Sequence, residues 1–393
     1  MAEERRTLAI SFAASLHRHS ATKISMKITG IRIYQVDLPL NEPYWLSGGR
    51  LKFEKLDSTV VAIDTDAGIT GWGEGCPWGV TYLPAFPLGI RAGIQELAPW
   101  LIGQNPLHLE QINRVMDIAL PGHPYIKSPL DMACWDILGK HTGLPLYSLL
   151  GGKYQDDVPL HSSVSTGTPE KMVDIVRNKR NQGYKIHSAK VGGSDVDTDI
   201  ERVNALLEDC PAGDVITIDV NRAWLPSEAV VVMNATKDSR AFFEQPCETI
   251  DQTRQVRELT RHPIIMDESI QSFHDLLMCQ RHNLLQAAGL KLGRIGGLTK
   301  GKLMRDFCIQ TGVKMNLEDT GGSQISDTAV VHWALSTPAE FDRATWDCSQ
   351  HHSVITATGG YTKDNGRATV SDAPGLGIEP VIATLGNPVA QYK

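Results

Sequence analysis

The stretch Ala287–Lys300, AAGLKLGRIGGLTK, carries the reading of the fold. Its first four residues are small and apolar, as in a strand buried on both faces. Its second half holds Gly293, Gly296 and Gly297 and reads as a loop entering a helix. Between them stands Lys291, an ammonium at the end of a buried strand, where desolvation is costly. The arrangement recurs in YKIHSAKVGG (184–193), where Lys190 ends an apolar run and Gly192 and Gly193 follow. Two lysines placed alike ask for a fold whose strand ends face one site.

Working outward, short apolar runs alternate with helical spacing from residue 158. The runs are VPLHSSV (158–164), KIHSAK (185–190), VITIDV (215–220), AFFEQP (241–246), PIIMDES (263–269), AAGLKL (287–292), VKMNLED (313–319) and ATWDCS (344–349). Amphipathic segments such as TPEKMVDIVRNKRNQGY (168–184) separate them. Eight strand–helix units at about 25 residues each predict an α/β fold of the (β/α)8 barrel kind. An open doubly wound sheet is the competitor, but no GxGxxG follows the first strand. Residues 26–150 read differently, as three strands and then three helices, an α+β unit. LLGGKYQDDVPLHSSVS (149–165) marks the boundary.

The bulk properties exclude several classes. The net charge is −7 with no basic stripe, against a nucleic-acid partner. Seven cysteines stand singly with no CxxC pair, which predicts reduced thiols in the cytoplasm rather than disulfides or zinc. LAISFAASL (8–16) is too short to span a bilayer. Residues 1–25 are expected to be a disordered extension, because Glu3 and Glu4 argue against a transit peptide.

In a barrel, the C-terminal strand ends share one mouth. Read in order, those ends give Lys190, Asp219, Glu244, Asp267, Lys291, Glu318-Asp319 and Trp346-Asp347. Each alone has an ordinary explanation: a helix cap for Asp219 or Asp267, a solvated loop for Glu244, a snorkelling surface lysine. Lys-acid-acid-acid-Lys on five consecutive strands is instead one site. Three carboxylates without Cys or His make a hard-cation site, Mg²⁺ before Zn²⁺. A divalent cation on a substrate carboxylate stabilises the charge formed when the α-proton leaves. A lysine close to that cation and to a second lysine is expected to have a lowered pKa and to act as the base.

SPLDMACWDILGK (128–140), DVN (219–221), EQP (244–246), MDES (266–269) and GLKLGRIGGLT (289–299) make the resemblance. From Met26 onward the chain resembles the mandelate racemase/muconate lactonizing enzyme group of the enolase superfamily. The resemblance implies a capping domain over 26–150 and a modified TIM barrel, (β/α)7–8, over 151–374. It also implies a tail, 375–393, that returns to the cap. It implies Mg²⁺ on Asp219, Glu244 and Asp267, with Lys190 and Lys291 as an acid/base pair on opposite faces of the substrate. Asn221, Glu268 and Ser188 are expected to back these groups. Homo-oligomers are expected from the same resemblance. There are departures. Ser188 stands where the group often has a second lysine, the seventh strand lacks a histidine, and the last strand offers one acid, Asp347.

Within the group, GHPYIKSPLD (122–131), residues 318–341 and GLKLGRIGGL (289–298) resemble members acting on proline derivatives. These are cis-3-hydroxy-L-proline dehydratases and the epimerases of proline betaine or hydroxyproline betaine. The expected partner is a small amino acid with a cationic ring nitrogen, which needs anions or aromatic faces. Asp319, Trp346 and Asp347 end strands at the mouth. Two lid loops, NEPYWLSGG (41–49) and CPWGVTYLPAF (76–86), offer Tyr44, Trp45, Trp78 and Tyr82. Asp347 favours a secondary ammonium and hence the dehydratase, while Trp346 keeps a betaine open. A muconate-type cycloisomerase would need a cation-rich lid, for which Arg50, Lys52 and Lys55 stand ready. A binding protein without chemistry is the remaining reading, yet no metal ligand or lysine is missing.

Overall fold

The computed structural model describes residues 26–46, 51–236, 238 and 240–393, so the expected extension and Arg50 lie outside the described residues. In β1 (Ile28–Leu46) Tyr34, Val36 and Leu38 are buried on one face while Gln35, Asp37 and Pro39 on the other face solvent, and earlier in the strand Ile31 and Ile33 are buried on that other face against the cap helices. The alternation has period two in the second half of the strand, while its first half is covered on both faces, by the cap helices on one side and by the larger core on the other. β1 pairs antiparallel with β2 (Leu51–Thr65), and β2 with β3 (Thr70–Gly75). Three helices follow: α1 (Pro87–Leu101), α2 (Leu109–Ala119) and α3 (Pro124–Thr142). Pro87 and Pro124 sit at helix starts, where the missing N–H costs nothing. Gly143, with φ of 71°, closes α3.

α3 has little amphipathic pattern because both of its sides are covered. One side lies on β3, where a Cβ at Gly71 would fall 2.1 Å from the Ala133 carbonyl oxygen and one at Gly73 2.0 Å from that of Pro129. The other side meets the barrel. Asp131 accepts from the backbone N–H and the hydroxyl of Thr299, at 2.9 and 2.6 Å. Glu74 of β3 makes a second join, fully buried and accepting from Ser323 and Ser326 of the barrel. Charge-assisted bonds of this kind are about twice as strong as neutral ones.

The second region runs β4 (Val158–Pro159), β5 (His161–Val164), α4 (Pro169–Asn181), β6 (Ile186–Lys190), α5 (Val196–Glu208) and β7 (Val215–Asp219). It continues with α6 (Pro226–Ala235), β8 (Phe242–Glu244), α7 (Ile250–Leu259), β9 (Ile264–Met266) and α8 (Phe273–Arg281). Last come β10 (Ala287–Lys291), α9 (Leu298–Thr311), β11 (Lys314–Glu318), α10 (Gln324–Leu335) and β12 (Asp342–Thr345). β5 to β12 form one parallel eight-stranded sheet in chain order, and a bridge between Leu160 and Thr345 closes it. Thr168, Asp195, Thr249 and Ser272 cap their helices by accepting an N–H three residues on. These caps end each loop at a set residue and so fix where the strand ends point.

Two expectations need correction. VPLHSSV is not one strand: Val158 and Pro159 pair antiparallel with Ala368 and Arg367, and the barrel strand is His161–Val164 alone. The last barrel strand is followed by a single 3₁₀ turn, Cys348–Gln350, and not by an eighth helix. Short antiparallel strands take that place: β13 (Ala357–Gly359), β14 (Tyr361–Asp364), β15 (Arg367–Val370) and β16 (Ile378–Pro380). Asn365-Gly366, both at positive φ, turn the β14–β15 hairpin. β17 (Ala390–Tyr392) pairs with Ile31–Ile33 of β1, bringing the tail onto the cap sheet. All seven cysteines are buried free thiols. Among the described residues no helix is long and apolar enough to cross a membrane.

Candidate active site

The barrel register sets the strand ends side by side. Lys190 lies opposite Asp219, Asp219 opposite Glu244, and Lys291 opposite Glu318. Asp267 follows directly on β9. The turns just beyond are tight: Asn221, Arg222 and Gln245 all have positive φ, uncommon for residues with side chains and frequent at functional sites. Gly289 inside β10 has its own reason, since a Cβ there would meet Asp267 Oδ1 at 2.6 Å. These features enclose a cavity of about 40 Å³ at the mouth. Ser188, Lys190, Asp219, Glu244 and Lys291 line it from the barrel, and Trp346 from beyond β12. Tyr44, Trp78 and Tyr82 line it from the cap.

The charges inside are tightly paired. Lys190 contacts Asp219, and Lys291 stands 3.2 Å from Asp267 and 2.9 Å from Glu318. Both ammonium groups are held above the usual lysine range by these carboxylates, whereas the lowering expected from the sequence is that of a lysine beside a bound divalent cation. Burial works against each charge, but Asp219 outweighs it at Lys190, and Asp267 with Glu318 outweigh it at Lys291. Opposite charges near 3 Å overcome desolvation when no other cation shares the carboxylates. Asp267 is held below the usual carboxylate range, because Arg294 and then Lys291 outweigh its burial.

Glu244 behaves differently. Its carboxylate makes no hydrogen bond or ion pair with the described residues. Burial, then the charges of Asp219, Asp267 and Glu318, raise its pKa well above the usual range. Among the described residues no three acidic, His or Cys side chains are drawn together as a finished cation cage. The donor set nevertheless suits a hard divalent cation: three buried carboxylates on neighbouring strand ends, one of them in no ion pair among the described residues.

The remaining sequence-selected residues divide. Tyr82 donates to Glu268 Oε1 at 2.9 Å and Asn221 Nδ2 donates to the same oxygen at 3.1 Å, tying the cap loop to the turn after β9. Burial pushes Glu268 up to about 7. Trp78 meets Tyr44 edge-on at 5.6 Å and Trp346 at 5.9 Å, forming an aromatic wall. Trp45, in contrast, is 37% exposed and does not line the cavity; Lys52 lies 5.6 Å over its ring. Asp347 also lies outside it. Its carboxylate accepts from Lys363 at 2.5 Å and Tyr361 at 3.1 Å, because the β14–β15 hairpin packs behind the last strand. Asp319 belongs to a neighbouring cavity of about 260 Å³ between cap and barrel, and accepts from the N–H groups of Gly293 and Thr320. In the lid, Lys52 pairs with Glu54 and Lys55 with Asp37 at the surface, so neither is turned toward the mouth as a free cation.

Three residues, Arg294, Arg222 and His161, escaped the sequence reading, and Glu318 was read there as a strand end without a role of its own. Arg294 donates to Asp267 at 2.7 Å and to the Gly289 carbonyl at 2.8 Å, holding that carboxylate in place. Arg222 donates to the Tyr82 carbonyl and lies 5.5 Å over the Tyr82 ring, clamping the lid loop. Glu318 and His161 line the cavity beside Lys291. The signal for Arg294 and Glu318 was their position at or just beyond strand ends. Arg222 and His161 carried none, since their partners, Tyr82 and Glu318, lie far away in the chain.

A capped (β/α) barrel with lysines and carboxylates at its C-terminal mouth is the architecture of the enolase superfamily. The chain matches the mandelate racemase/muconate lactonizing enzyme N-terminal domain over residues 28–151 and the enolase C-terminal domain-like family over 171–383. It belongs to that family and is an enzyme of the lyase or isomerase kind. It is 46% identical to the cis-3-hydroxy-L-proline dehydratase of Roseibium aggregatum, over 94% of this chain and all of that one. It is 29% identical to the N-succinyl-L-Arg/Lys racemase of Bacillus cereus, over 90% and 95% of the two chains. An enolase-superfamily crystal structure from Roseovarius nubinhibens, complexed with magnesium, superposes with a TM-score of 0.90 at 48% identity, covering 94% of this chain and all of that one.

Proposed function

We propose that the protein removes the proton α to the carboxylate of a small amino acid and then expels a β-hydroxyl, dehydrating a 3-hydroxyproline-type substrate. The observation that carries this reading is the pair Lys190 and Lys291, four strands apart in one cavity with carboxylates between them. Mg²⁺ held by Asp219, Glu244 and Asp267 would supply Lewis-acid stabilisation of the substrate carboxylate. One lysine takes the Cα proton, and the electron pair passes into the carboxylate. The pair returns as the Cα=Cβ bond when the C–O bond breaks, and the other lysine protonates the leaving hydroxyl as water. The enamine formed tautomerises to Δ1-pyrroline-2-carboxylate. Tyr82 and Trp78 cover the mouth and exclude water. The likeness to a cis-3-hydroxy-L-proline dehydratase supports dehydration as the outcome.

A second reading has its own support. With Asp347 outside the cavity, the aromatic wall of Tyr44, Trp78 and Trp346 is what the cap and last strand offer a cationic nitrogen. That chemistry suits a betaine, whose inversion needs one lysine on each face. Proton NMR in D₂O with Mg²⁺ separates the two, using cis-3-hydroxyproline, proline, proline betaine and hydroxyproline betaine. Loss of the α-proton with formation of Δ1-pyrroline-2-carboxylate marks the dehydratase. Exchange with inversion and no elimination marks the epimerase. Silence from all four ends the proline reading. We also propose a homo-oligomer, which light scattering on the purified chain tests.

A further inference from the structure

Glu318 ends β11 in register with Lys291 at the end of β10. Its two carboxylate oxygens have separate partners. Oε2 lies 2.9 Å from Lys291 Nζ, and Oε1 lies 3.3 Å from His161 Nε2. All three residues are at least nine-tenths buried and all three line the mouth cavity. The row runs from β10 through β11 to β5, reaching past the intervening β12 to the first barrel strand.

The two lysines are therefore held by unlike means. Asp219 is the ion-pair partner of Lys190 among the described residues. Lys291 has Asp267 at 3.2 Å, but Asp267 already receives Arg294 at 2.7 Å, and Glu318 is the closer partner of the lysine. Fixing a long side chain such as lysine costs rotamer freedom. A buried charge-assisted bond offsets that cost and defines one position. His161 Nε2 makes no hydrogen bond, but at 3.3 Å from Oε1 it limits by contact where the Glu318 carboxylate can rest.

We infer that Glu318, braced by His161, is a positioning residue for Lys291: it keeps the ammonium aimed at one face of the substrate without relying on Asp267. The inference rests on the reading of the site as one of α-proton transfer. Without Glu318, the nearest anion left to Lys291 is Asp267, a shift along the wall of the cavity. Displacing a reacting group by about 1 Å costs on the order of 10²-fold in rate.

The test uses the full chain with Mg²⁺ and follows α-proton exchange in D₂O for both enantiomers of whichever substrate responds. K291M identifies the enantiomer served by Lys291. E318Q is expected to slow exchange of that same enantiomer by about 10²-fold and to leave the other close to wild type. H161N is expected to act on the same enantiomer by about tenfold, and E318D to recover part of the loss. Equal slowing of both enantiomers would mean that Glu318 serves only the integrity of the barrel, and overturns the inference. Crystal structures of wild type and E318Q decide the matter independently of substrate. Lys291 Nζ moved toward Asp267 in E318Q supports the positioning role, and an unmoved Lys291 overturns it. If wild type exchanges no substrate, the functional reading fails, and the two structures still decide the placement of Lys291.

Discussion

Lys190 and Lys291 end two strands of one barrel and look alike in the sequence, yet their surroundings differ. Lys190 faces Asp219 and lies on the side of the aromatic wall, where Tyr44 contributes to its electrostatics. Lys291 is set among Asp267, Glu318 and, one contact further, His161 and Arg294. The difference teaches that a strand end decides where a charged group stands, while its neighbours on other strands decide how it is held. One face of the cavity is built to accommodate, with rings and few charges. The other is built to fix.

The largest effect tests what the two sides share. Treatment with EDTA is expected to abolish turnover, with Mg²⁺ restoring it, and Glu244→Gln is expected to lose Mg²⁺ binding in isothermal titration. Retained Mg²⁺ affinity in that variant would remove Glu244 from the ligand set. Next, Lys190→Met and Lys291→Met should each lower turnover by about 10³-fold, as loss of a general acid or base does. If both variants affect the same enantiomer in the exchange assay, the lysines do not serve opposite faces and the comparison collapses.

A smaller effect sharpens the accommodating side. Trp346→Leu should raise KM for a betaine by roughly tenfold, reflecting about 1–2 kcal/mol of cation–π attraction, while kcat changes little. An unaltered KM would take the aromatic wall out of substrate recognition. Asp347→Asn should leave KM unchanged and lower stability by about 1–2 kcal/mol, because its carboxylate is buried but its partner Lys363 is partly exposed. That loss would be read as a fall of a few degrees in melting temperature. A large rise in KM would return Asp347 to the substrate. Lys52→Ala should change neither activity nor stability measurably, being a surface pair.

Much of this was legible beforehand, for identifiable reasons. Eight apolar runs at steady spacing announced the barrel, because a strand buried on both faces must be apolar throughout. The order Lys190, Asp219, Glu244, Asp267, Lys291 announced the mouth, because consecutive parallel strands place their ends together. Asn365-Gly366 was an available hairpin signal after the last barrel strand and passed unread. Direction was harder to read. Asp347 follows a barrel strand just as Asp219 ends one, yet it turns to Lys363 on a hairpin that interrupts the repeat. Asp319 is taken by the backbone N–H groups of Gly293 and Thr320 and faces the neighbouring cavity.

By itself, then, the sequence determined the class of fold, the row of charged strand ends and the aromatic character of the lid, since these follow from periodicity and residue type along the chain. Only the tertiary structure decided which of those side chains share the cavity, which lysine has Glu318 beside it, and that His161 stands behind Glu318. A side chain's direction and partners depend on residues far away in sequence, and at about 3 Å a single shift of neighbour changes a charge from free to held.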